Sequence, residues 1–289
     1  MSSLSHSGAD VSFPLWDDEP IDGAFTMNST DGLDNAVVSG VTRPWLFGYK
    51  PTSENAHRRP ILVIGGGGYV ELMVGREGIQ VAKWLNSLGF YAFVLIHRFP
   101  NSETGAQAPI DDARRALRII DEKGFAGKGV ALCGLSSGGH LAASLLASYP
   151  SSWTERIQPT SSSPDLPKIS FALIGYAPIS TNAVGRQIIA NKPALPPAEK
   201  QALYNAVQPD VQLISPAPPT FIVYAGNDPV VPVVNAYRLA EGLGKAGGQV
   251  ELHVFGDAPH GFGVDTKGQP VEKWTEMAQA WIEQGGFLG

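Results

Sequence analysis

Six short apolar runs between residues 60 and 256 constrain the fold more than any other feature of this sequence. Most are continuously hydrophobic rather than alternating, which is typical of strands that are buried on both faces. The runs are "ILVIG" (61–65), "YAFVLI" (91–96), "GVALCG" (129–134), "ISFALIGY" (169–176), "TFIVYAG" (220–226) and "VELHVFG" (250–256). The sequence therefore predicts a central, mostly parallel sheet.

Amphipathic helix patterns lie between or after these runs. Residues 76–89, 109–125 and 271–286 each place apolar side chains on one stripe of a helix. Buried strands that alternate with such helices are typical of an α/β fold, in which helices cover both faces of the sheet. Residues 36–50 are rich in β-formers and are expected to add one or two peripheral strands.

The expected organisation is a single domain over residues 21–289, preceded by a polar, flexible segment at residues 1–20. Residues 181–215 interrupt the strand–helix rhythm and are expected to form an excursion with one or two short helices above the sheet. Such an excursion fits either a plain surface connection or a lid that covers the substrate.

The segment "GLSSG", residues 134–138, carries the strongest chemical signal. It places Ser136 between Gly134 and Gly138, directly after a predicted strand and directly before a predicted helix. This is the context of a nucleophile elbow, a strained turn in which the residues two before and two after the serine must be small. We therefore predict that Ser136 is a catalytic nucleophile.

A serine nucleophile needs a base, and the base needs an orienting carboxylate. In this kind of fold the chain order is serine, acid, histidine. Asp228 follows the run at 220–226, and His260 lies in a glycine-containing loop after the run at 250–256. Both positions are at carboxyl ends of predicted strands, where the sites of open parallel sheets gather. Asp228 and His260 are therefore the predicted acid and base.

Other candidates fit these roles less well. Asp257 is an alternative acid but is close in sequence to His260, and His97 precedes the serine, out of order for the base. His140 lies one helical turn after Ser136 and is expected to pack behind the elbow. The remaining candidates lie in polar loops (His6, His57), inside a strand (His253) or in an apolar run as a small core residue (Cys133).

The glycine cluster "IGGGGY", residues 64–69, follows a predicted strand. The N–H groups of Gly66 and Gly67, with that of Ser137, are predicted to form an oxyanion hole. A dinucleotide site would need G-x-G-x-x-G, but the required final glycine is Val70 or Glu71, and no Gly-Lys-Ser/Thr follows. No cofactor is therefore expected.

Charge and composition exclude several classes of function. The formal net charge of −6 argues against nucleic acid or an anionic membrane as a partner. The single cysteine excludes an intrachain disulfide, and no metal-binding motif occurs. No cationic stretch followed by an apolar one opens the sequence, so a cytoplasmic location is expected.

Five segments together give a resemblance to a known family. They are "GGGGY", "REG" (76–78), "GLSSGGHLAAS", "NDPVVPV" and "ELHVFGDAPHGFG". On these motifs the chain resembles the α/β-hydrolase superfamily from about residue 60 to 284, and within it the acetyl-xylan-esterase-like carbohydrate esterases. The family commonly has Pro or His at the position of Gly65 and Ala at that of Ser137, and often His in the segment before Asp228, so the substrate surroundings differ here.

The resemblance implies the same triad and oxyanion loop, and it places Tyr69 and Gly68 near the acyl part of the substrate. We therefore expect a serine esterase that removes small acyl groups, acetyl above all, from a sugar or xylo-oligosaccharide through an acyl-enzyme. Two alternatives remain open. One is an amide, peptide or aryl-amide hydrolase with the same triad, and the other is a ligand-binding protein that kept the fold without catalysis.

Overall fold

The computed structural model describes residues 8–16, 21–52, 56, 59–157 and 165–288. The strands are β1 (Val11–Pro14), β2 (Thr26–Asn28), β3 (Val37–Ser39), β4 (Trp45–Tyr49), β5 (Pro60–Ile64), β6 (Tyr91–Ile96), β7 (Val130–Leu135), β8 (Ile169–Gly175), β9 (Thr220–Ala225) and β10 (Val250–Phe255). The helices are α1 (Gln80–Ser87), α2 (Ala108–Glu122), α3 (Ser137–Ser144), α4 (Ala198–Ala206), α5 (Pro209–Gln212), α6 (Val234–Lys245) and α7 (Trp274–Gln284). A π-helical turn, Val74–Ile79, leads into α1.

Eight strands form the central sheet in the order β1-β4-β6-β5-β7-β8-β9-β10. The pairs from β6 to β10 are parallel, whereas β4 runs antiparallel to both β1 and β6. All six predicted sheet strands are present, and β3 and β4 confirm the expected strands in residues 36–50. The prediction of a mostly parallel α/β sheet is confirmed.

Burial explains why the central strands are continuously apolar. Every residue of β5, β6, β7 and β9 is buried. A strand can be buried on both faces only where both faces of the sheet are covered by other elements. The helices provide this cover, and Trp84 of α1 contacts Trp274 of α7 with ring centroids 5.1 Å apart. The edge strand β10, by contrast, is only partly buried.

The N-terminal segment differs from its prediction. Residues 8–16 are described, and Val11–Pro14 pairs antiparallel with β4, so the prediction of a flexible segment is wrong for this part. The following residues, Leu15 and Trp16, are buried, and the indole N–H of Trp16 donates to Asp112 Oδ1 over 2.6 Å. The side chain of Arg115 also donates to the carbonyl of Leu15 over 2.8 Å. Strand pairing, apolar packing and these buried hydrogen bonds therefore hold residues 8–16; residues 1–7 and 17–20 lie outside the described part.

The excursion at residues 181–215 contains α4 and α5, as predicted. Polar contacts join its parts: the guanidinium of Arg186 donates to Asp210 Oδ2 over 2.6 Å, and the side-chain amide of Gln201 donates to the carbonyl of Asn182 over 2.8 Å. An isolated bridge between Leu213 and Ala147 connects the excursion to the segment after α3. The excursion is thus tied to the region that follows the elbow.

Candidate active site

Ser136 lies in the turn between β7 and α3. Its φ of 52° and ψ of −126° are strained for a residue with a side chain. A Cβ on Gly134 would lie 2.6 Å from the Cβ of Ala142, and one on Gly138 would lie 2.5 Å from the carbonyl oxygen of Gly65. Neither glycine can therefore carry a side chain, and the tight turn that the "GLSSG" pattern predicts is present.

The side chains of Ser136, His260 and Asp228 form one hydrogen-bonded chain. Ser136 Oγ lies 2.9 Å from His260 Nε2, and His260 Nδ1 lies 2.7 Å from Asp228 Oδ2. A carboxylate only accepts, so Nδ1 carries the hydrogen and Nε2 is left to accept the serine hydroxyl hydrogen. The three residues follow β7, β9 and β10, so the carboxyl ends of three strands bring them together.

Asp228 is held as an acceptor by the turn in which it lies. Its Oδ1 accepts the N–H groups of Val230 and Val231, both over 2.8 Å. Burial alone would raise the pKa of Asp228, but the hydrogen bonds from His260, Val231 and Val230 outweigh burial and lower the pKa below its ordinary value. The carboxylate is therefore ionised at neutral pH and fixes the orientation of the imidazole.

The glycine loop, residues 65–69, faces Ser136 from the neighbouring strand β5. The N–H of Gly66 donates to Glu77 Oε2 over 2.6 Å, so the prediction that this amide binds an oxyanion is wrong. Among the described residues, no acceptor engages the N–H of Gly67. The N–H of Ser137 opens helix α3, where no intrahelical acceptor exists. The amides of Gly67 and Ser137 are thus the two available donors.

Ser137 contributes a side-chain contact as well. Its Oγ accepts the N–H of Gly68 over 2.9 Å, which connects the residue after the nucleophile to the glycine loop. Gly68 itself faces the excursion, since a Cβ on this residue would lie 3.8 Å from Lys200 Nζ. Sequence reasoning assigned Ser137 only a backbone role, and the structure adds this second one.

Tyr69 lies behind the glycine loop rather than in an open pocket. Its side chain is buried, and its hydroxyl lies 2.8 Å from His140 Nδ1. His140 Nε2 lies 3.0 Å from the carbonyl of Val207, so Nε2 carries the hydrogen and Nδ1 accepts from Tyr69. Burial lowers the pKa of His140 to about 4, which keeps the ring neutral. The Tyr69 hydroxyl is thus engaged by His140, and the placement of Tyr69 near the acyl part of the substrate stays a prediction. His140 packs behind the elbow as expected.

Glu77 is a buried carboxylate that sequence reasoning missed. Oε2 accepts the Gly66 N–H, and Oε1 accepts the hydroxyl of Tyr176 over 3.0 Å. Tyr176 in turn accepts the N–H of Gly263, in the loop that carries His260. Burial raises the pKa of Glu77, more than these hydrogen bonds lower it. The available signal was its position in "REG", because an acid directly after a glycine loop can reach that loop's amides.

The remaining candidates lie away from the reacting groups or have other contacts. The side chain of Asp257 accepts from Asn227 over 2.5 Å, and the His253 ring pairs with Glu251 over 2.9 Å. His97 is buried with Nδ1 on the carbonyl of Arg98, and Cys133 is a buried residue of β7. His6 and His57 lie outside the described residues. No group of metal-ligating side chains occurs in the described part of the chain, and no helix within it has the length and apolarity to cross a membrane.

Comparison with known proteins identifies the family of the chain. Residues 97–264, more than half of the chain, match the model of an α/β-hydrolase fold family. The chain is 28% identical to an acetylxylan esterase of Xylanibacter ruminicola over 219 residues, which cover 74% of this chain and 43% of that protein. It is also 28% identical to endo-1,4-beta-xylanase B of Butyrivibrio fibrisolvens over 237 residues, 76% of this chain and 35% of that protein. The chain thus spans less than half the length of either relative.

Solved structures show the same fold over nearly the full length. An acetyl ester-xyloside bifunctional hydrolase from Caldicellulosiruptor lactoaceticus superposes with a TM-score of 0.72 at 25% identity, covering 97% of this chain and 98% of that one. An esterase from Thermogutta terrifontis superposes with a TM-score of 0.67 at 21% identity, covering 95% and 97%. Together with the elbow and the sheet order, these matches show that the chain belongs to the α/β-hydrolase fold family.

Proposed function

We propose that this protein is a serine hydrolase of carboxylic esters. The observation that carries the proposal is the hydrogen-bonded chain from Ser136 through His260 to Asp228. A serine that contacts a neutral, oriented imidazole is the arrangement that activates a hydroxyl nucleophile.

The reaction follows from the positions of these groups. Ser136 Oγ attacks the ester carbonyl while His260 Nε2 takes the hydroxyl proton, and the N–H groups of Gly67 and Ser137 stabilise the negative oxygen of the tetrahedral intermediate. Nε2 then gives the proton to the leaving alcohol, and an acyl-enzyme forms. A water molecule, deprotonated by the same nitrogen, attacks the acyl-enzyme and releases the acid.

The proposed substrate is an acetyl ester of a sugar or xylo-oligosaccharide. Two of the similar proteins support this substrate class, since one is named an acetylxylan esterase and the other an acetyl ester-xyloside hydrolase. A small acyl group also suits the site, because the buried side chains of Tyr69 and His140 fill the space behind the glycine loop.

Replacing the nucleophile tests the proposal. Ser136→Ala should reduce the hydrolysis of p-nitrophenyl acetate by several orders of magnitude, by about 10⁶-fold where the triad acts as a unit. The circular dichroism spectrum should stay unchanged, because the side chain loses one oxygen. Ser144→Ala is the matched control, because it removes the same hydroxyl oxygen from a buried serine in the adjacent helix α3. Wild-type rates in Ser136→Ala would refute the proposal.

A further inference from the structure

A polar cavity opens directly beside His260. Its volume is about 300 Å³, and His260 and Gly261 form part of its wall. Most of the other lining side chains carry hydrogen-bonding groups: Asn35, Arg76, Gln80, Asp265, Lys267 and Gln269. Ligand pockets are usually lined mainly by apolar and aromatic side chains. This cavity has the opposite character, so its ligand must present many hydrogen-bonding groups.

Several of these polar side chains make no polar contact with other side chains in the described part of the chain. No ion pair or side-chain hydrogen bond there engages Arg76, Asp265 or Lys267. The amide of Gln80 donates its Nε2 hydrogen to the carbonyl of Asp34, which leaves its side-chain oxygen as an acceptor. The wall therefore offers cationic side chains as hydrogen-bond donors and carboxylate and amide oxygens as acceptors.

Proton transfer from His260 indicates where the leaving alcohol must lie. In the proposed reaction, His260 Nε2 gives its proton to the oxygen of the leaving alcohol, so that oxygen must come within hydrogen-bond reach of the ring. His260 also forms part of the cavity wall, so an alcohol whose oxygen lies at Nε2 can extend into the cavity.

We propose that this cavity is the alcohol subsite and that it takes a polyhydroxylated leaving group, a glycosyl unit. Each lining side chain can bond one or two sugar hydroxyls, and the guanidinium of Arg76 can donate to two adjacent oxygens at once. An alkyl or simple aryl alcohol would leave these groups unpaired and would gain little from the cavity. This inference rests on the proposed esterase activity and assigns the binding of the sugar to particular residues.

The test measures sugar binding without requiring a sugar ester. Unacetylated xylo-oligosaccharide, the alcohol product, should inhibit the hydrolysis of p-nitrophenyl acetate competitively. In the double variant Arg76→Ala/Gln269→Ala the inhibition constant should rise about tenfold or more, the result expected for losing two or three hydrogen bonds. Both residues are exposed, so the variant should fold, and its thermal unfolding curve checks this.

Lys128→Ala is the matched control, because it removes an exposed cation just before β7. This residue lies at the amino end of the strand, whereas His260 follows the carboxyl end of β10. Its inhibition constant should equal that of the wild type. An unchanged inhibition constant in the double variant, or no inhibition of the wild type by the oligosaccharide, would overturn the subsite. Absence of p-nitrophenyl acetate hydrolysis by the wild type would instead refute the esterase proposal, so the two failures are distinguishable.

Discussion

The two loops that face Ser136 are held in different ways. The glycine loop (65–69) is fixed from several sides, since Glu77 accepts the N–H of Gly66, Ser137 accepts that of Gly68, and His140 accepts the hydroxyl of Tyr69. The base loop, residues 256–264, is held through His260 by Asp228 and through both backbone groups of Gly263. One face of the base loop stays open to the polar cavity.

This difference separates two tasks. Stabilising an oxyanion requires donors that are fixed before the reaction, because reorganisation during the reaction would cost free energy. The glycine loop meets that requirement through side-chain contacts to two other segments, the π-helical turn that carries Glu77 and the helix α3 that carries Ser137 and His140. The base must hold its ring and also admit an alcohol, so its loop is anchored at residues 257–258, at His260 and at Gly263, and one face stays open to the polar cavity. Substitutions that remove a contact of the glycine loop and substitutions that remove a contact of the base loop should therefore reduce kcat by different amounts.

The largest loss of activity is expected from replacing Asp228, the acid that orients His260. Asp228→Asn should lower kcat for p-nitrophenyl acetate by about 10⁴-fold, because the amide favours the imidazole tautomer that cannot accept the serine proton. Asp257→Asn, in the same loop as His260 but directed to Asn227, is the control and should stay within about threefold of the wild type. Equal losses in the two variants would show that Asp228 is not the orienting acid.

The next effect is expected in the glycine loop. A Cβ on residue 66 would lie 2.5 Å from the Cβ of Ser136 and 2.6 Å from Glu77 Oε2, so Gly66→Ala must displace the loop or the nucleophile. The displacement would misalign the adjacent Gly67 N–H as an oxyanion donor, which should lower kcat by about 10²–10³-fold. At the adjacent Gly65 a Cβ would lie 3.4 Å from its nearest neighbour, so Gly65→Ala is a close control and should retain most of the activity. Full activity of Gly66→Ala would contradict the observed geometry.

Glu77 connects the two loops, and its removal should be visible in the pH dependence of stability. Burial raises the pKa of Glu77 in the folded protein, whereas the unfolded chain loses this proton near pH ~4.3. The folded state therefore binds more protons, and this contribution to stability falls as the pH rises above about 4. Glutamine has no such dependence, so the Tm of Glu77→Gln relative to the wild type should be higher at pH 7 than at pH 4.

The same variant should lower kcat roughly tenfold, because the amide of glutamine cannot accept from both Gly66 and Tyr176 and the loop shifts slightly. Glu103→Gln, which removes an exposed carboxylate, is the control for both measurements. If the Tm of Glu77→Gln minus that of the wild type falls as the pH rises, the folded protein stabilises the ionised form of Glu77. Burial would then not be the dominant influence on its pKa.

The sequence was sufficient for the residues that obey local rules. Continuous apolar runs predicted the six parallel strands, and small residues around Ser136 predicted a turn that only such residues permit. Asp228 and His260 followed from the order of strands along the chain. The error at Gly66 arose because its amide is engaged by Glu77, which lies 11 positions away and shows no local pattern. The strand Val11–Pro14 was likewise missed because its partner, β4, lies over 30 residues later.

The smallest effect should come from the side chain of Ser137. Ser137→Ala keeps the backbone N–H that faces the oxyanion and removes only the acceptor of the Gly68 N–H. One hydrogen bond contributes about 0.5–1.5 kcal/mol, so kcat should fall no more than about tenfold if the whole amount is lost in the transition state. A loss larger than that of Glu77→Gln would mean that the Gly68 contact, rather than the Glu77 contact, chiefly holds the glycine loop; the kcat values of Ser137→Ala and Glu77→Gln, measured side by side, decide which contact dominates.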